Sequence, residues 1–123
     1  MDSTTRVDPY TESIKLDIHD LTRVLNENVG AAVVAAMTGA GSRTLPYKWA
    51  STTEPRPETQ ERLRLAYRVW RTLSDSEGRN VTLAWLTGAN PLLGEATPVT
   101  RIRELNSKDV IGAARAFVDD LPA

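Results

Sequence analysis

The sequence predicts an all-α fold. Apolar residues recur at helical spacing, helix-starting residues and post-helix glycines punctuate them, and no convincing run of alternating strand appears. Residues 1–13 are polar, contain Pro9 and read as a flexible N-terminal arm. Ile14-Leu16-Ile18 is the one strand-like alternation, and it leads into a helix capped by Asp17 with Ile18, Leu21 and Leu25 on one face. Asn28-Val29-Gly30 ends that helix. Ala31 to Met37 forms a short, small-sided helix suited to close packing on both sides. Thr38-Gly39-Ala40-Gly41 turns the chain, and Ser42 or, better, Thr44 caps a further short helix reaching Trp49 or Ala50. Pro46 is tolerated there only in the first turn, and it shortens the helix.

After the loop Ser51 to Pro57, residues 57–74 carry the strongest pattern. Leu63, Ala66, Tyr67, Trp70 and Leu73 follow helical spacing, and Leu65 and Val69 widen the apolar arc. Such a helix is central, or packs on a second chain. Ser76 caps a helix through Trp85-Leu86 that stops at Thr87-Gly88. A turn-rich stretch, Asn90 to Ala96, precedes Thr97-Pro98 as N-cap and first residue of a short helix toward Leu105. Ser107 caps the last helix, striped by Val110, Ile111, Ala114, Phe117 and Val118. The organisation is an arm over 1–13, a helix-turn-helix region with its long helix over 14–75, and a C-terminal helical module over 76–123.

With 123 residues the chain fits one domain. It has no cysteine and one histidine, which excludes disulfide scaffolds, thiol nucleophiles and multi-histidine metal sites within one chain. No apolar run approaches the ~18 residues of a membrane span, and the first residues lack a signal-peptide pattern, so a cytoplasmic location is expected. Fifteen bases against sixteen acids give −1 overall, but the charge is unevenly placed. Residues 1–41 carry −3, residues 42–71 carry +4 and residues 72–123 carry −2.

Residues 30–50 have the layout of a helix-turn-helix. The second helix presents Arg43, Thr44, Tyr47 and Lys48 on one side, while Leu45 and Trp49 anchor the other. Arg and Lys donate to guanine edges or phosphates, and Thr and Tyr hydroxyls reach phosphates. Arg56, in the following loop, adds to this basic segment. Arg64, Arg68 and Arg71 share a face of the long helix, either as further basic surface or as a solvated stripe.

Ser42 to Trp49 is similar to the second helix of Xre-type helix-turn-helix proteins, and Arg62 to Tyr67 follows at a fitting distance. Ala84 to Pro98, with Trp85-Leu86, Pro91, Leu92 or Leu93, Gly94 and Pro98, resembles the C-terminal signature of the Xre/MbcA/ParS antitoxins. The resemblance covers roughly residues 18–121. It implies an antitoxin that neutralises a RES-domain, NAD-consuming toxin through its C-terminal half and autoregulates its operon by binding operator DNA. It also implies dimers, and mixed assemblies with the toxin. In that frame Leu92, Leu93, Arg101, Arg103, Phe117, Asp120 and Leu121 are the candidate toxin contacts. The alternatives are a stand-alone DNA-binding regulator and a scaffold module without DNA contact. No catalytic constellation, cofactor motif or metal site is expected: His19 reads as structural or exposed, Asp119 and Asp120 diverge on a helix, and the three tryptophans read as core.

Overall fold

The computed structural model describes residues 8–120. Among them the chain forms eight α-helices and one 3-10 turn, and no strand: α1 Pro9–Lys15, α2 Ile18–Val29, α3 Ala31–Thr38, α4 Thr44–Trp49, α5 Pro57–Ser74, α6 Arg79–Thr87, the 3-10 turn Pro91–Leu93, α7 Pro98–Arg103 and α8 Ser107–Asp119. The expected all-α class is therefore observed.

The arm expected over 1–13 is helical from Pro9 onward. Asp8 caps it, its side chain accepting the Thr11 N–H at 2.8 Å, and that bond holds the carboxyl below the usual carboxylate range. Ile14 and Leu16 belong to this helix and its end, not to a strand. Asp17 caps α2 as expected, accepting from the N–H groups of His19 and Asp20. Three other starts shift. Ser42, not Thr44, supplies the hydroxyl before α4, accepting the Thr44 N–H at 3.0 Å. That leaves Pro46 third in α4, where its missing N–H is one that no helical carbonyl would have bonded. α6 starts after Gly78, not Ser76, and Asn106 rather than Ser107 precedes α8. Thr97 and Pro98 hold the expected cap and first positions of α7.

Two helix ends turn in the left-handed region. Gly39, at φ +74°, closes α3 with the Ala40 N–H bonded to the Ala35 carbonyl at 2.9 Å. Leu105, at φ +59°, does the same for α7, with the Asn106 N–H on the Arg101 carbonyl at 2.9 Å.

Helix α5 is central. It packs against α1, α2, α3, α6, α7 and α8, which is why its apolar arc is so wide. Leu63, Leu65, Tyr67, Val69, Trp70 and Leu73 are all buried within the one chain, so Trp70 offers no face to a second copy. One continuous cluster runs from Ile18 through Val34, Met37 and Leu63 to Ile102, Val110 and Ala114, joining the two helical regions in a single core. The small side chains of α3 let α2, α4, α5 and α7 all approach it.

Arginines tie helix ends together across the fold. Arg23 donates to the Ala50 carbonyl, Arg62 to Arg103, Arg64 to Ser13 and Leu16, Arg79 to Glu27, and Arg101 to Leu93, at 2.6–3.1 Å. Each acceptor lies in or just after the last turn of a helix, where carbonyls lack intrahelical partners and the helix dipole is negative.

Candidate functional site

Two surfaces hold most of the sequence-predicted residues. The first is α4. Arg43, Thr44, Tyr47 and Lys48 are all exposed, Tyr47 to 63%, while Pro46 and Trp49 are buried on the opposite side. Among the described residues, the side chains of Arg43 and Lys48 make no ion pair or hydrogen bond with one another or with other groups. Helix α2 fixes α4 in place. His19, Arg23 and Asn26 sit at i, i+4 and i+7 on α2, and reach the carbonyls of Trp49 (2.6 Å), Ala50 (3.0 Å) and Pro46 (3.0 Å). The single histidine is thus a positioning group. The Oδ1 of Asn26 is buried without a partner among the described residues.

Arg56 is exposed but stands apart from the α4 face. It lines a cleft of about 420 Å³ with Gly39, Gly41, Leu45 and Glu54, between the α3–α4 turn and the loop before α5. The +4 charge of residues 42–71 does not all face outward. Arg62 pairs with Glu58 at 3.0 Å and bonds the Arg103 carbonyl. Arg64, Arg68 and Arg71 form neither a solvated stripe nor an open basic face, because α1 lies over them. Arg64 bonds the α1 end, Arg68 sits 4.8 Å from the Tyr10 ring centroid, and Arg71 meets Glu12 at 3.2 Å and Asp75 at 3.5 Å. The Tyr67 hydroxyl donates to Glu12 at 2.9 Å; burial, then that bond, pushes its pKa up to about 12.

The second surface is a groove of about 500 Å³ between the end of α6, the 3-10 turn and α8. Trp85, Leu92 and Phe117 supply its apolar walls, Ala113 and Ala116 its floor, and Asp120 its rim. The rings of Trp85 and Phe117 are 6.1 Å apart between centroids and tilted by 42°. Leu92 is 67% exposed because of the local backbone: the buried Asn90 side chain accepts the Leu92 N–H at 2.9 Å, and the Asn90 carbonyl accepts from Leu93 and Glu95. That knot turns Leu93 inward and Leu92 outward.

Of the predicted C-terminal contacts, the structure brings together Leu92, Phe117 and Asp120. Leu93 is a core residue, 4% exposed. Arg101 is half-buried, bonded to the Leu93 carbonyl and paired with Glu104 at 2.7 Å, so it braces the turn. Arg103 lies away from the groove, its aliphatic stem against Gly39 at the end of α3. Leu121 lies outside the described residues. Trp85 and Asn90 were missed as groove residues. Periodicity placed Trp85 in the core; the Asn-Pro step after Gly88-Ala89 was the one signal that a side chain organises this turn.

Among the described residues no group of three or more His, Asp or Glu could hold a metal ion, and no helix is long and apolar enough to cross a membrane. The fold and these surfaces define a small all-α protein with an exposed basic-aromatic helix and a separate apolar groove. Comparison of the chain with protein-family models, with curated proteins and with solved structures returns no match.

Proposed function

We propose that this chain is a cytoplasmic antitoxin that binds a RES-domain, NAD-consuming toxin through the Trp85–Leu92–Phe117 groove and represses its own operon through α4. The observation that carries the reading is the groove. An exposed leucine, two aromatic rings and two alanines form an apolar concavity among the described residues, the kind of centre around which protein interfaces are built. The acidic rim at Asp120 suits a partner that presents a base beside an apolar side chain. The resemblance of residues 84–98 to the antitoxin signature falls on the segment that shapes this groove.

The exposed set on α4 favours the DNA-binding component and, taken alone, a stand-alone regulator. Arg43 and Lys48 supply exposed donors, with Thr44 and Tyr47 beside them, on a helix pinned by α2. One chain offers few such cations, so operator binding is expected from a dimer or a toxin-bound assembly that presents several copies. The test is co-expression with the product of the adjacent reading frame. Capture of a RES-domain toxin by the wild-type chain, and its loss on Leu92→Asp, supports the antitoxin reading. Operator binding with no toxin captured leaves the stand-alone regulator.

A further inference from the structure

Helix α1 rests chiefly on α5, where three arginines receive it beside Glu61, Leu65 and Tyr67. Arg64 donates to the Ser13 and Leu16 carbonyls at 2.8 and 3.0 Å, Arg68 stacks on Tyr10, and Arg71 meets Glu12. Along the α5 axis these arginines span roughly 10 Å. Arg115 of α8 adjoins them beside Tyr10 and Arg68. The occupant shows what this face accepts: one aromatic ring on a guanidinium, one carboxylate, and carbonyl oxygens. A nucleic-acid strand offers the same set, as bases and phosphate oxygens.

The occupant is also short. α1 has seven residues, well below the roughly 12–15 at which an isolated helix is even marginal. Its ion pair with α5, Glu12–Arg71, is partly exposed, a class worth about 0–1 kcal/mol, and Glu12 also accepts from the Tyr67 hydroxyl. Ser13 is its one buried residue, while Tyr10 and Ile14 stay half-exposed. A ligand gaining several charge-assisted bonds to the same arginines competes with α1 on these terms.

We propose that the arginine face of α5 is a nucleic-acid-binding surface that α1 covers in cis, with Tyr10 and Glu12 standing where a base and a phosphate would sit. Undocking α1 adds this surface to whatever α4 binds. The inference stands on α5 and is independent of the role given to α4.

The test uses the full chain carrying Ile14→Pro, which breaks α1 at an exposed position and leaves every arginine in place. Anisotropy titrations with a labelled single strand of about 20 nucleotides and the matching duplex, from about 50 to 200 mM salt, read the affinity and its salt slope. Binding tightens at least about fivefold at the lowest salt, and the slope steepens by about 1.5–2, the value for Arg64 and Arg68, since Arg71 keeps Asp75 as a partner. Which probe gains more identifies the form of nucleic acid. Adding Arg68→Ala to Ile14→Pro reverses most of the gain, while Arg43→Ala in that background does not, which separates this surface from α4. Glu12→Gln shifts binding the same way by a smaller factor, and it decides the matter if the proline variant fails to fold. The proposal is overturned if the folded variants bind both probes as the wild type does. It is equally overturned if they gain affinity for anionic lipid vesicles and not for nucleic acid.

Discussion

Leu92 and Leu93 are neighbours in sequence with opposite surroundings, and truncating each to alanine should give opposite phenotypes. Leu92 is 67% exposed and Leu93 is 4% exposed. Fully burying a leucine is worth about 1.5–3 kcal/mol, so covering the exposed share of Leu92 with a partner supplies about 1–2 kcal/mol. Leu92→Ala should therefore weaken binding of the proposed toxin about 5- to 30-fold, measured by calorimetric titration. It should leave stability within about 0.5 kcal/mol of wild type. Leu93→Ala deletes a buried side chain and leaves a cavity, at a cost of about 2–5 kcal/mol. For a chain of 123 residues that lowers Tm by about 8–20 °C in a thermal melt. A Leu92→Ala protein that binds the proposed toxin as tightly as wild type, at unchanged Tm, would refute the use of the groove as the interface centre. A Leu93→Ala protein with unchanged Tm would refute the inward placement of that side chain.

Three further outcomes are expected. The pair Arg43→Ala and Lys48→Ala should reduce the salt slope of the proposed operator binding by about 2 per chain, and an unchanged slope in a fluorescence titration removes α4 from the phosphate contacts. Gly39→Ala forces an L-residue to φ +74° and costs about 1–2 kcal/mol. The nearest atom to the added Cβ is the Arg103 Cδ at an ordinary 3.5 Å, so the cost is conformational, and Gly41→Ala, with open space around it, should melt as wild type does. The stability supplied by the neutral Tyr67 phenol is complete below pH 10 and is lost as pH rises through about 12, because the raised pKa belongs to the folded state. Wild type should thus lose Tm faster than Tyr67→Phe over that window, and parallel curves would remove the Tyr67–Glu12 contact from the pH response.

Much of the helix order was legible because local signals and the apolar period agreed. Asp17, Gly30, Pro57, Thr97 and Pro98 mark boundaries by backbone chemistry that needs no tertiary contact. α1 was missed because seven residues carry too little period to stand out, and its stability comes from a partner helix distant in sequence. The same long-range pairing hid the meaning of Arg64, Arg68 and Arg71. Their spacing showed a shared face but not what covers it. The wide arc on α5 was readable as excess apolar surface, yet only the packing of six neighbouring helices shows that the chain consumes it. At the groove, the split between Leu92 and Leu93 follows from the Asn90 hydrogen bonds, a three-residue device invisible to a helical period.

The arginine ties between helix ends set which exchanges the fold tolerates there. Arg23, Arg62, Arg64, Arg79 and Arg101 each direct a planar fork of donors at backbone oxygens that end a helix, so the direction of the donors, and not the charge alone, holds these ends. Lysine at the same places would keep the charge while losing the planar fork, so Arg→Lys exchanges there are structural changes rather than conservative ones.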